Sequence, residues 1–390
     1  MPHPNAILKI IPPRNIENLI NSKSYNCLNV YVDFKNACNS LFIEDVVNEL
    51  VYNTNSTGNL DTSIFQSTLF FSSYWKQFAY YYKIPNCNIF FSYDVGDSYY
   101  HLNIDEEYKK NRKISCTTTP EFFEDMFKIR NQNCLVAEKI CNRIPNVYFF
   151  ILKHMESDFL PYYLQTRHFN DSDTFNVICS NDKDLLQNIR GNNNVMVYKN
   201  KGDSFMVTED SVLLKYTNLH KYSNKNIMSK SRKLSQIDLD YLSAMMAIIG
   251  DSGDDVKGVN KIGPMKIIDM FCDEKHKIYL GSFEELCDRV SSGGCYFRDN
   301  LDISSMDTNW KLAYNNKDIV TKALKMISFE CLIKYLETSV KDNAVNNKNY
   351  IYKILNKNNF NLIEDPKILL EGLSSIQDLY LTENEALNLF

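Results

Sequence analysis

Ile248-Ile249-Gly250-Asp251-Ser252-Gly253-Asp254-Asp255-Val256-Lys257-Gly258-Val259-Asn260-Lys261-Ile262-Gly263-Pro264-Met265-Lys266 is the stretch on which the fold turns. Its first half sets Asp251 and Asp254 three residues apart on a glycine-broken turn, where no regular ladder is expected to constrain them. Its second half, GVNKIGPMK, reads as a tight hairpin. Gly258 and Gly263 are expected to supply backbone freedom, and Pro264 to open the next helix at its first position. Unpaired N–H groups at such a helix start suit a phosphate. Carboxylates fit for a metal therefore stand directly before a backbone clamp fit for nucleic acid.

Upstream, four apolar runs read as strands. Leu28–Val32 ends on Asp33, and Asn88–Tyr93 ends on Asp94. Val147–Leu152 exits towards Glu156 and Asp158, and Thr174–Cys179 runs into SNDKDLLQNI with Asp182 and Asp184. Helical patterns lie between them, at about Asn36–Tyr52, Ser63–Tyr82 and Pro120–Ile144. A β-type pair, Val195–Tyr198 with Phe205–Val207, and a helix over Asp238–Ile249 complete the pattern. Alternating strands and helices imply an α/β fold, with a mostly parallel sheet flanked by helices. Ligands of such sheets bind outside the carboxyl ends of the strands, where these acids fall.

For any single one of Asp33, Asp94, Glu156, Asp158, Asp182, Asp184, Asp251 and Asp254, a helix cap or turn is the ordinary reading. Together on one edge they would repel and force several pKa values upward. Oxygen ligands without His or Cys select a hard cation, Mg²⁺ or Mn²⁺. The number of acids suits two ions ~4 Å apart, the arrangement that hydrolyses phosphodiesters. Lys109 and Arg112, in Tyr108-Lys109-Lys110-Asn111-Arg112, are the candidates to hold a scissile phosphate; in isolation they read as a solvated helix start.

Composition narrows the classes. The 390 residues are 44% hydrophobic with a net charge of -5, which excludes indiscriminate nucleic-acid binding and requires local basic patches. The 11 cysteines run from Cys27 to Cys331 without a CxxC pair, a reduced, cytoplasmic pattern. The opening MPHPNAILKIIPPRN is too short in its apolar run for a signal peptide, and no stretch approaches the ~20 apolar residues of a membrane span. Lys221, Lys225, Lys230, Arg232 and Lys233 crowd a connector that suits either a linker or DNA-backbone contact. The aromatic run Phe70, Phe71, Tyr74, Trp75, Phe78, Tyr80, Tyr81, Tyr82 has the helical spacing of core packing, although such rings also stack bases. There is no P-loop, nucleophile elbow, HExxH pairing or EF-hand spacing.

YVDFKN, FSYDVGD, EYKKNRK, ESD, SNDKDLLQ and IIGDSGDDVKGVNKIGPMK, in this order, resemble the flap endonuclease / 5′→3′ exonuclease family, and most closely its bacteriophage members. The resemblance covers roughly Asn29–Phe271. It implies a PIN-like (5′-3′ exonuclease) core over 27–237 behind an N-terminal extension at 1–26. It also implies a helical arch at about 113–145, a helix–hairpin–helix DNA-binding region at 238–276, and a mainly helical C-terminal region at 277–390 of unassigned role. By motif position Asp33, Asp94, Glu156 and Asp158 form a first metal group, and Asp182, Asp184, Asp251 and Asp254 a second, for two Mg²⁺ or Mn²⁺ ions. Lys109 and Arg112 match the pair that contacts the scissile phosphate. Gly258, Val259, Ile262, Gly263 and Lys266 match the duplex clamp, with K⁺ on its carbonyls, and Lys230, Arg232 and Lys233 are further DNA contacts.

Two positions depart from that pattern: Phe159 stands where many relatives carry a further Asp, and Asn39 where they carry a base-stacking aromatic, with Phe42 nearby. The implied activity is Mg²⁺-dependent cleavage near the 5′ ends of DNA flaps, nicks or RNA primers in phage replication, by a cytoplasmic monomer. A single-strand-binding protein or sliding clamp is the protein partner such a role implies, and LTENEALNLF reads either as a docking peptide or as an ordinary helix end. The competing readings are a non-catalytic, structure-recognising DNA-binding protein and a PIN-type ribonuclease. Acids at nearly every expected position disfavour the first, and the hairpin clamp disfavours the second.

Overall fold

The computed structural model describes residues 16–34, 71–95, 97–110, 141, 144–153, 155–191, 193–200, 203–217, 234 and 236–341. The expected helix at 36–52, Arg112, nearly all of the expected arch, the basic connector with Lys230, Arg232 and Lys233, and the chain after 341 lie outside the described residues.

Six strands form one sheet: β1 (Cys27–Asp33), β2 (Asn86–Val95), β3 (Val147–Lys153), β4 (Thr174–Cys179), β5 (Asn194–Asn200) and β6 (Asp203–Val207). Their order is β3-β2-β1-β4-β5-β6, parallel throughout except that β6 returns antiparallel on β5. Aromatic and β-branched residues fill β1 and β4, both buried on their two faces, as strands in the middle of a parallel sheet must be. The chain winds one way from β1 to β2 and β3 and the other way to β4 and β5. The switch point therefore lies between β1 and β4, where open parallel sheets bind ligands.

Side-chain alternation divides the core. Leu28, Val30 and Val32 pack on one face with Ile89, Phe91, Val177, Phe71 and Trp75. Helix α1 (Ile16–Asn21) closes this face with Ile16 and Ile20, so the segment expected as an extension is packed from residue 16. Helical residues 71–81 cover the same face with Trp75 fully buried, but Tyr80 and Tyr81 are exposed, so the aromatic run is core along one side only.

Tyr31, Phe90, Ile178 and Met196 belong to the other face. They share one continuous core with α2 (Tyr99–Ile104), α3 (Phe159–Arg167), α4 (Glu209–Thr217), α5 (Leu242–Ile249), α6 (Pro264–Phe271), α7 (Lys275–Leu280), α8 (Phe283–Ser291), α9 (Thr308–Asn315), α10 (Lys317–Ile327) and α11 (Phe329–Lys341). The C-terminal helices, with Trp310, Ala323, Leu324 and Ile333 buried, thus pack into the core beneath the sheet rather than forming a separate unit. Local signals start them: Ser282 and Glu285 close a capping box on α8, and Asp307 accepts from the Asn309 and Trp310 amides at the start of α9. No described helix is long and apolar enough to cross a membrane.

Inside this face a row of amides crosses four strands. Asn88, Asn29, Asn176 and Asn194 are register partners along β2, β1, β4 and β5. Asn88 Nδ2 donates to Asn29 Oδ1 at 2.9 Å, Asn29 Nδ2 to Asn176 Oδ1 at 3.1 Å, and Asn176 Nδ2 to Asn194 Oδ1 at 2.8 Å. The Tyr31 hydroxyl also donates to Asn176 Oδ1, at 3.2 Å. A slipped strand would bury these groups unpaired and would turn Asp33 to the opposite face. Replacing Asn176 by Leu leaves the Asn29 N–H, the Tyr31 hydroxyl and the Asn194 carbonyl without this partner. We expect a loss of about 3 kcal/mol in urea unfolding, and a loss under about 1 kcal/mol would contradict the register role.

Candidate metal and nucleic-acid site

Strand alternation sets Asp33, the last residue of β1, on the same face as Asn29 and Tyr31, with Asp94 two residues past Asp33's register partner Ser92. After β4 the chain folds back through short bonds. Ser180 Oγ donates to Asp33 Oδ2 at 3.1 Å and accepts from the Asp182 amide at 3.0 Å. Asp182 Oδ1 in turn accepts from the Asp184 amide at 3.0 Å, which starts a 3₁₀ turn, Asp184–Asn188. Asp182 thus performs the local turn role expected of an isolated Asp. Asp158 does not: it occupies the N-cap position of α3, yet its carboxylate makes no capping bond. Phe159, at the departure from the family pattern, is buried at the start of that helix.

The central loop is more constrained than the sequence suggests. Asp251 and Val256 form an antiparallel bridge, with both backbone bonds at 2.8 Å, so a ladder does close the turn that holds the acids. Gly250 has φ +77° and packs against Gly258, where a Cβ would overlap the Ile249 carbonyl. Gly258 is thus required for close approach. Gly263 is not used for freedom: its φ of -110° is ordinary extended backbone. Besides Gly250, the positive-φ positions of this segment are Asp255 (φ 62°) and Lys261 (φ 71°). The bridge buries Asp251 and Asp254, each 7% exposed, beside Asp184. Carboxylate oxygens of Asp184, Asp251 and Asp254 all lie within 4.8 Å of one another, a cluster that could hold a metal ion. Asp184 Oδ1 is buried and accepts no hydrogen bond, an orphaned acceptor that a cation would satisfy.

Electrostatics connect the two groups. Burial, then the charges of Asp33, Asp182, Glu156 and Asp94, push the Asp158 carboxyl well above the usual carboxylate range. Burial, then Asp182, Asp251 and Asp254, do the same to Asp184, with Lys183 opposing. Asp182 thus acts on both neighbourhoods. Lys183, not singled out from the sequence, pairs with Asp251 Oδ1 at 2.8 Å; its position between two acids in the DKD run was the available signal.

A second bridge comes from the YKKNR segment. Tyr108 Oη lies 2.9 Å from Glu156 Oε1 and 3.3 Å from Asp254 Oδ2. Lys109 Nζ pairs with Glu156 Oε1 and, at 3.4 Å, with Asp254 Oδ2. The Lys109 amide also donates to the Asp254 carbonyl at 3.2 Å, with Lys109 at φ 57°. Burial works to raise Glu156, and the pull of His101, Lys109 and the Tyr108 hydroxyl brings it down to about 2. Burial lowers His101 itself, and Tyr108 and Lys109 are the partners in direct contact with the Glu156 carboxylate. Tyr108 is a further residue that attention to charged side chains alone passed over.

In the hairpin, Val259 and Ile262 are buried side chains whose amides bond to Ile248 O (2.8 Å) and Val259 O (3.2 Å). Among the described residues the Asn260, Lys261 and Gly263 amides take no such bond. Pro264 does open α6 at its first turn, with Gly263 as N-cap. Lys266 Nζ donates to the Lys261 carbonyl at 2.8 Å and so folds over the hairpin.

The raised carboxyls of Asp158 and Asp184 destabilise the metal-free fold increasingly as pH rises above their ordinary value of 3.8. Glu156 has the opposite sign: its contribution is present above 4.5 and is lost as pH falls to about 2. In EDTA at alkaline pH, Asp184→Asn should raise the melting temperature by about 3 °C or more and flatten its decline with pH. An unchanged or lower melting temperature would contradict the repulsion described.

No family model matches the chain, and no curated protein is similar at the level of sequence. Among solved structures, the T5 D15 protein co-crystallised with metal ions superposes with a TM-score of 0.51 at 12% identity, over 90% of this chain and 99% of that one. The bacteriophage T5 D15 flap endonuclease in a pseudo-enzyme-product complex with DNA and metal ions gives a TM-score of 0.49 at 12% identity, over 90% and 98% of the two chains. With its mostly parallel sheet between layers of helices, the chain has the PIN-like 5′-exonuclease fold of the T5 D15 protein.

Proposed function

We propose that this chain is a metal-dependent, structure-specific 5′ nuclease, a 5′→3′ exonuclease or flap endonuclease that cuts phosphodiesters near the 5′ ends of DNA flaps, nicks or RNA primers. The observation that carries the reading is the convergence of acids from β1, β2, the segments after β3 and β4, and the 251–254 loop, with Asp182 acting on both Asp158 and Asp184. The T5 D15 protein crystallised with metal ions, and in one crystal with DNA; both properties are carried here to this chain.

The donor set fits hard divalent cations, since the clustered ligands are carboxylate oxygens and one buried oxygen lacks any bond. Asp33, Asp94, Glu156 and Asp158 would hold one Mg²⁺, and Asp182, Asp184, Asp251 and Asp254 a second. Bound there, the pair supplies positive charge that activates an attacking water and offsets charge developing on the phosphate. The protein supplies the rest. Lys109 stands between Glu156 and Asp254, where its ammonium can turn from carboxylate to phosphate. Tyr108 keeps those two carboxylates in one arrangement. The Asn260, Lys261 and Gly263 amides at the start of α6 suit a duplex phosphate, the role proposed for 238–276 as a helix–hairpin–helix.

The test is cleavage of 5′-labelled flap, nicked and RNA-primed duplexes with Mg²⁺ against EDTA. The wild-type chain should cut at least one in Mg²⁺ only. Asp182→Asn should slow single-turnover cleavage by at least about 100-fold, with DNA affinity in Ca²⁺ within about threefold of wild type. Cleavage that survives EDTA or Asp182→Asn would contradict the reading.

A further inference from the structure

We propose that the carboxyl end of α10 is a brace that fixes the two acid-bearing segments relative to each other, with Tyr100, His101 and Gln187 as its positioning residues. A helix leaves its last four carbonyls without intrahelical partners. Here all four are satisfied. The carbonyl of the C-cap, Ser328 O, accepts from the Leu332 amide at 3.1 Å. The other three take side chains from elsewhere in the chain: Lys325 O accepts from Tyr100 Oη at 2.9 Å, Met326 O from His101 Nε2 at 2.9 Å, and Ile327 O from Gln187 Nε2 at 3.0 Å.

The three donors belong to the two segments that build the site. Tyr100 and His101 lie on α2, which leads directly into Tyr108 and Lys109. His101 faces a carbonyl through Nε2, so that nitrogen carries the proton, and Nδ1 accepts from Ser98 Oγ at 2.7 Å. Its ring lies flat on Tyr108, with centroids 4.5 Å apart and 14° between the planes. The path therefore runs from Met326 O through His101 and Tyr108 to Glu156 and Asp254. Lys322 of α10 adds an ion pair to Asp105 at 2.7 Å on the same segment.

Gln187 belongs to the turn that Asp184 starts. Its Nε2 also donates to the Asp184 carbonyl at 3.1 Å, and its Oε1 accepts from the Phe329 amide at 3.3 Å. One buried amide thus ties the Asp184 backbone to the end of α10 and the start of α11. Packing alone would not require this arrangement. Apolar side chains would fill the same space but leave three carbonyls unpaired, and the chain meets that requirement with residues that also place Tyr108 and Asp184.

The catalytic consequence rests on the nuclease reading, whereas the effect on the metal site does not. The experiment compares full-length wild type with His101→Leu, His101→Gln and Gln187→Met. It reads Tb³⁺ affinity by luminescence, single-turnover cleavage of a 5′-labelled flap duplex in Mg²⁺, DNA affinity in Ca²⁺, and melting temperature. His101→Leu and Gln187→Met should each weaken Tb³⁺ binding and slow cleavage by about 10-fold or more, with DNA affinity within about threefold. His101→Gln, which keeps a donor for Met326 O, should recover most of both.

Wild-type Tb³⁺ affinity and rate in a folded His101→Leu chain would overturn the brace, as would a His101→Gln chain no better than His101→Leu. If wild type cleaves no substrate but Tb³⁺ binding follows this pattern, the nuclease reading falls and the brace stands. Should His101→Leu fail to fold, Tyr100→Phe, which deletes one hydroxyl, decides the matter: about threefold weaker Tb³⁺ binding supports the brace and an unchanged value overturns it.

Discussion

Carboxylates that repel one another at the carboxyl edge of the sheet are the constraint on which the surrounding structure depends. Asp158 and Asp184 each sit among several others, and burial deprives them of the water that would screen the repulsion. Such an arrangement persists only if the scaffold is rigid enough to hold it. The rigidity is visible: a parallel sheet buried on both faces, an amide row pinning four strands in register, and a loop closed by the Asp251–Val256 bridge. Each fixes one source of carboxylates, and Tyr108 and Lys109 connect the sources through Glu156 and Asp254.

The strands were legible because they are short apolar runs whose last residue or exit carries an acid. Thr174–Cys179 matches its expected limits, and β1, β2 and β3 extend theirs by two, four and one residues. The order of strands was not legible, since alternation alone does not say that β1 lies between β2 and β4. The amide row is illegible in the sequence for a similar reason: four asparagines far apart in sequence have no visible connection until the register aligns them. In the central stretch the sequence marks Gly258 and Gly263 alike as sources of backbone freedom, whereas Gly258 instead answers a close approach and Gly263 takes ordinary extended backbone. The crowding that demands glycine comes from Gly250 and Ile249, which only the bridge brings into place.

Of the candidate site, the acids were accessible from the sequence because they fall at or just beyond the ends of recognisable strands or on the central loop. Their supports were not. Lys183 had a local signal in the DKD run, but Tyr108, His101 and Gln187 act across separations that spacing cannot reveal, and Gln187 meets Ile327 from 140 residues away. The C-terminal helices were the least legible part. They carry no motif, and their relation to the site is a set of backbone carbonyls, groups that every residue possesses.

The most direct measurement is anomalous diffraction from crystals of the chain grown with Mn²⁺. Metal should stand against the carboxylates of Asp184, Asp251 and Asp254, with oxygen distances of about 2.0–2.2 Å, and a second ion should lie towards Asp158 on the far side of Asp182. Mn²⁺ absent from all of these acids, or bound only at exposed surface carboxylates, would contradict the claim that their convergence exists to hold metal.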